Sequence, residues 1–145
     1  MANNEYTVGQ LAKAAGTKTV TVRYYERKGL MRRPPRTRSG YRLYNGADLD
    51  RLLFIRRSRY LGFSVDRVRE LLELADRTEA PCDDVDARVM QHLDEVRERL
   101  AHLRSLEQEL QRLSTCCEGG GAIRDCRIIG ALSESSYAPM QGKAD

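Results

Sequence analysis

The sequence predicts a mainly α protein: a winged helix-turn-helix domain, then a long antiparallel coiled-coil helix, then a C-terminal cysteine-bearing loop. Three observations predict it. Two short helical patterns flank a Gly-containing turn and are followed by a basic hairpin. An apolar stripe of seven-residue spacing runs from Asp83 to Leu113 with no Gly or Pro. Charge and cysteine are segregated: residues 1–75 hold 16 Lys and Arg against 7 Asp and Glu, residues 76–145 hold 9 against 14, and all four cysteines lie in the second part.

Thr7 stands as an N-cap before Val8, Leu11, Ala12 and Ala15, which recur at helical spacing. Gly16 ends that helix by taking a positive φ. Thr17 then caps a second helix, Lys18 to Lys28, stopped by Gly29. Two short helices about a tight turn read as a helix-turn-helix. The second carries Thr19, Thr21, Arg23, Tyr24 and Tyr25, groups that reach phosphates or base edges. Pro34-Pro35 blocks any helix. Residues 36–44 form two β-prone arms around Ser39-Gly40. Such a hairpin, bearing Arg36, Arg38 and Arg42, is in isolation as often a solvated turn; directly after a basic helix-turn-helix it reads as a wing.

Asn45 caps a helix from Ala47 to about Leu61, and Ser64 caps another from Val65 to about Ala75. Arg56, Arg57 and Arg59 either flank a DNA backbone or form a solvated face. Val89, Val96, Leu103 and Leu110 recur every seven residues, with Val85, Leu93, Leu100, Leu106 and Leu113 beside them. That stripe marks a coiled coil or a helix packed on its own domain. So short a chain has little left to cover it, which favours a dimer seam. His92 and His102 read as ordinary helix residues. The expected units are a DNA-binding domain at 5–75, the coiled-coil helix at 82–113, the metal-binding loop and a short helix at 114–133, and a disordered tail at 134–145.

The 145 residues allow one or two small domains. Mean hydropathy is −0.60, and no apolar stretch approaches the ~18 residues of a membrane span. The N-terminus lacks the basic start and apolar run of a secretory signal, so a cytoplasmic location is expected. No nucleophile elbow, zinc-protease motif or phosphate loop supports an enzyme. A Cys-x-x-Cys pair is also missing, which argues against a disulfide oxidoreductase. The basic first half is the electrostatic footprint of a nucleic-acid binder.

Cys117 and Cys126 bracket a Gly-rich loop able to bring two thiolates to one soft or borderline cation. Cys82 precedes the long helix, while Cys116 and Cys117 follow it. A straight helix of about 30 residues is ~45 Å long, so Cys82 cannot share an ion with Cys117 of its own chain. An antiparallel dimer places Cys82 of one subunit against Cys116, Cys117 and Cys126 of the other, giving two equal sites. The bland alternative is four unrelated thiols. An iron–sulfur centre would need all four in one cluster, and Cys82 stands apart.

Across residues 6–132 the chain resembles the MerR-type metal-responsive transcription regulators. The likeness rests on Thr7-Val-Gly-Gln-Leu-Ala-Lys-Ala-Ala-Gly16, Thr21-Val-Arg-Tyr-Tyr-Glu-Arg-Lys-Gly-Leu30, Ser39-Gly-Tyr-Arg-Leu-Tyr44, Leu61-Gly-Phe-Ser-Val65 and the set Cys82, Cys117, Cys126. It implies a homodimer on double-stranded promoter DNA whose spacer is too long for RNA polymerase. Metal then makes the dimer bend and undertwist that DNA, activating metal-resistance genes. It also implies operator contacts by Arg23, Tyr24, Tyr41 and Arg42. The full candidate DNA set is Lys18, Thr19, Thr21, Arg23, Tyr24, Arg36, Tyr41 and Arg42; the candidate metal ligands are Cys82, Cys116, Cys117 and Cys126.

The same likeness bears on the metal. A copper(I) sensor of the family typically has Ser where this chain has Cys82, so the cysteine resembles the divalent branches for mercury, cadmium, lead or zinc. Adjacent Cys116-Cys117 looks most like the zinc-sensing branch, which however has a histidine where this chain has Gly121. That departure shifts weight from zinc towards mercury, cadmium and lead. The alternatives to a divalent sensor are a copper(I)-type sensor and an architectural DNA-binding dimer with a structural zinc.

Overall fold

The computed structural model describes residues 4–115 and 119–134. Among them the helices are α1 (Val8–Ala14), α2 (Thr19–Arg27), α3 (Gly46–Tyr60), α4 (Val65–Ala75), α5 (Asp83–Ser114) and α6 (Arg127–Ser133), with a 3-10 turn at Ile123–Asp125. The chain divides into two compact units, Met1–Val85 and Asp86–Asp145. The expected ligands Cys116 and Cys117, and the expected tail past Glu134, lie outside the described residues.

α1 begins as the sequence predicts. Thr7 Oγ1 accepts from the Gln10 amide at 3.2 Å, and Gln10 Oε1 accepts from the Thr7 amide at 2.9 Å, a reciprocal cap. The turn that follows corrects one expectation. Gly16 takes φ +69°, its amide donates to Lys13 O, and the Thr17 amide donates to Ala12 O. Thr17 therefore completes the C-terminal turn of α1 and does not cap α2. The N-cap of α2 is Lys18, with no side-chain cap bond. The positive φ is what favours glycine at 16; a Cβ there would lie 2.8 Å from Arg56 Nη1, the movable end of a long side chain.

The hairpin forms with less strand than its sequence suggests. One antiparallel bridge joins Arg36 and Arg42, and the Thr37 amide donates to Tyr41 O at 2.6 Å. A second bridge, Tyr6 to Tyr44, has both amide–carbonyl bonds at 2.8 Å and anchors the hairpin to the residues before α1. Leu11, Val22, Leu30, Tyr44, Leu52, Ile55 and Val68 are fully buried. The first four helices and the hairpin base thus share one core, on which Val85 of α5 also packs. Farther along α5, Val89, Leu100, Leu103, Leu106 and Leu110 stay 43–65% exposed.

Asp48 holds the start of α3. Its carboxylate accepts from the Asn45 amide at 2.8 Å and from Arg32 Nε and Nη2 at 2.7 and 2.6 Å. The bidentate bond to Asp48 leads the effects that raise the Arg32 pKa above its ordinary value. Asp48→Ala removes half of the capping box and the ion pair together. It should cost about 1–3 kcal/mol in urea unfolding; a loss of only a few tenths would show that neither matters to the fold.

Candidate nucleic-acid interface

The periodicity of α2 decides which residues it offers. Val22 and Tyr25 turn into the core, and at 100° per residue the opposite stripe is Val20, Arg23 and Arg27, all exposed. Thr19, Thr21 and Tyr24 lie half-buried between these faces, and Lys18 is exposed at the cap. Tyr24 packs partly on the core, its ring 5.6 Å from that of Tyr25 and 5.7 Å from Lys28 Nζ.

Arg23 faces the hairpin. Together with Arg36, Tyr41, Arg42, Thr7, Val8, Gly40 and Tyr44 it lines a cleft of about 120 Å³. Four of the sequence-predicted residues, Arg23, Arg36, Tyr41 and Arg42, are thus brought together from α2 and the hairpin. Arg36 Nη1 donates to Gly40 O at 2.9 Å and Arg42 Nη1 donates to Pro34 O, so each braces the hairpin with one N–H and keeps others for a ligand. Tyr41 is 63% exposed at the rim. Three guanidiniums around a cleft with a phenol beside it supply the positive charge and N–H donors that a phosphate backbone accepts from.

Much of the first half's positive charge serves the fold. Arg32 pairs with Asp48, Arg33 with Glu26, and Arg69 with Asp66 and Lys28 O. Arg51 donates to Leu30 O, Arg56 to Ala15 O and Arg59 to Phe63 O. For Arg56 and Arg59 neither a DNA flank nor a plain solvated face is a complete description, because each also staples a loop carbonyl. Arg23 and Arg38 make no hydrogen bond or ion pair among the described residues.

The arrangement depends on a link that sequence reasoning missed. Glu26, near the end of α2, has a side chain only 1% exposed. Its Oε1 accepts from the Tyr44 hydroxyl at 2.5 Å and its Oε2 from Arg33 Nε at 3.0 Å. Helix, hairpin base and the segment between them therefore meet at one carboxylate. Burial first, and then the bond to Glu26, pushes the Tyr44 phenol up to about 12. Val20 was missed too, although an apolar residue out of phase with Val22 and Tyr25 was visible in the sequence.

Of the thiols, Cys82 is exposed in the segment before α5, and Cys126 is half-buried at the N-cap of α6. They belong to different units. Among the described residues no three metal-ligating groups converge.

Known proteins resemble this chain over nearly its whole length. A family described as MerR HTH family regulatory protein matches residues 6–75, and one described as MerR, DNA binding matches residues 49–113. The chain is 40% identical to the HTH-type transcriptional regulator ZntR of Escherichia coli, over 94% of this chain and 99% of that protein. It is 36% identical to the mercuric resistance operon regulatory protein of Bacillus cereus, over 88% and 97%. A solved structure, the transcription regulator PbrR691 from Ralstonia metallidurans in complex with lead(II), superposes with a TM-score of 0.79 at 41% identity, covering 87% of this chain and 98% of that one.

The Tyr44–Glu26 bond has a pH signature. Tyr44 keeps its proton to higher pH in the folded chain than its ordinary 10.0, so its contribution is complete below pH 10 and lost as pH rises towards about 12. Urea titrations of wild type should show that alkaline loss. Tyr44→Phe should lower stability at neutral pH by about 1–2 kcal/mol and flatten the alkaline decline. An unchanged decline in the variant would assign it to other groups.

Proposed function

This chain belongs to the MerR family of helix-turn-helix regulatory proteins, and we propose that it is a promoter-bound homodimer whose inducer is a soft divalent metal ion. One observation carries the reading: a basic cleft is built in the first unit, while the thiols flank a long helix on which Val89, Leu100, Leu103, Leu106 and Leu110 of the apolar stripe stay exposed in the single chain. DNA lies along α2 and the hairpin, with Arg23, Arg36, Tyr41 and Arg42 as the central contacts and Lys18, Thr19, Thr21 and Tyr24 beside them. The stripe of α5 forms an antiparallel seam between two copies. Metal binding changes how the two heads hold the duplex, bending and undertwisting it so that RNA polymerase can use the promoter.

The metal site consists of Cys82 from one subunit with Cys117 and Cys126 from the other, Cys116 assisting. α5 has 32 residues, about 48 Å at 1.5 Å per residue. Cys82 precedes it and the other three thiols follow it, so an antiparallel pair is the simple way to unite them. A set of three or four thiolates selects a soft cation. Mercury, cadmium and lead are favoured over zinc because Gly121 supplies no imidazole. Similar proteins described as a mercuric resistance regulator and as a lead(II) complex support a soft divalent ion as inducer. Transcription in vitro with each of zinc, cadmium, lead, mercury and copper(I) decides the inducer; a response to copper(I) alone would overturn the divalent reading.

Two further outcomes test the architecture. Leu103→Asp puts a carboxylate in the seam and should split or unfold the dimer, read by light scattering. Cys82→Ser should abolish the response to divalent metal while operator binding persists. A heterodimer of Cys82→Ser with a Cys117→Ser/Cys126→Ser subunit should keep one intact site, whereas either homodimer keeps none. If that heterodimer binds no metal while wild type does, the ligands come from a single chain.

A further inference from the structure

We propose that Val20 is a base-reading residue that packs on the 5-methyl group of a thymine in the major groove, and so sets part of the operator sequence this protein accepts. The inference rests on the promoter-binding reading above. Val20 lies in the first turn of α2 and is 73% exposed. It is 200° around the helix from Val22, whose side chain is fully buried. Val20 therefore contributes nothing to the core, and a β-branched residue at an exposed helical position is a weak helix former. Its cost to the free protein has no return within the described residues.

The surroundings point to what covers it. Val20 shares its stripe with Arg23, three residues on, which lines the cleft between α2 and the hairpin. Lys18 precedes it at the cap and is exposed. Cations on both sides fit phosphates, which position a helix without reading sequence. A recognition helix turns its N-terminal residues to the base edges. The side chain at position 20 has no donor or acceptor, so the major-groove feature it can recognise is the thymine methyl, through apolar contact. Cytosine offers an amino group and no methyl at that edge, and would leave Val20 against a polar group.

The homodimer presents Val20 twice, so the contacted thymines form one symmetric pair. The test uses full-length protein and a duplex that wild type selects from a randomised pool. Each symmetric thymine pair is replaced in turn by uracil, which pairs identically but lacks the methyl. Burying one methyl is worth about fourfold in affinity, so one pair should weaken wild type by roughly 10- to 20-fold. Val20→Ala, which improves helix propensity and should leave thermal unfolding unchanged or higher, should lose a similar factor on the thymine duplex. Its further loss with uracil at that pair should be several-fold smaller than that of wild type, because the shorter alanine side chain reaches less of the methyl.

Equal uracil effects in wild type and Val20→Ala at every position would overturn the proposal. So would a selected site with no methyl-sensitive pair, or Val20→Ala binding the thymine duplex as tightly as wild type. Failure of wild type to select any sequence would instead defeat the promoter-binding reading itself, which separates the two.

Discussion

A single buried carboxylate sets the geometry on which the cleft between α2 and the hairpin depends. Glu26 accepts from the Tyr44 hydroxyl and from Arg33, so the end of α2, the base of the hairpin and the loop joining them converge on it. A buried carboxylate without partners is expensive. The three segments are therefore held in the one arrangement that supplies both donors. Because Tyr44 is also bridged by its backbone to Tyr6, the same contact fixes the hairpin against the start of the first unit. Arg23 on the helix and Arg36 and Arg42 on the hairpin reach one cleft as a consequence.

The arginines divide by task. Those meeting carboxylates or loop carbonyls within the first unit, among them Arg32, Arg33, Arg51 and Arg69, convert side-chain reach into fixed loops. Planar guanidinium groups suit this because they bridge two acceptors with fixed geometry. Arg36 and Arg42 do both things at once, bracing the hairpin while keeping donors available. A charge count over the first half thus overstates how many cations meet phosphate, and the salt dependence of DNA binding follows the smaller number.

α5 poses the complementary constraint. A helix of 32 residues with Leu100, Leu103, Leu106 and Leu110 partly open to water presents the kind of apolar patch that marks an interaction surface. Covering the stripe with a second copy buries that patch, and in an antiparallel pair brings thiols separated along one chain towards each other. In the arrangement proposed above, association and metal sensing draw on the same element.

Local patterning was sufficient for much of this protein. Capping residues Thr7, Asn45 and Ser64, the apolar spacing within each helix and the Gly-centred turns act over a few residues, and the helices appear where those signals place them. The seven-residue stripe and the positions of the thiols are likewise properties of the chain, and the motif set carries the likeness to the MerR family without help from the fold. Contacts distant in sequence were not legible: Tyr6 with Tyr44, Glu26 with Tyr44, and Arg56 with Ala15 O. Nor was the fate of Thr17, because both helix ends competed for it and its amide went to Ala12 O. A residue's type states which bonds it can make, but only packing decides which partner arrives. By itself the sequence determined the helices, the charge segregation and the positions of the thiols along the chain; the tertiary structure decided which arginines serve the fold and which line the cleft, because that depends on distances between segments that no local signal encodes.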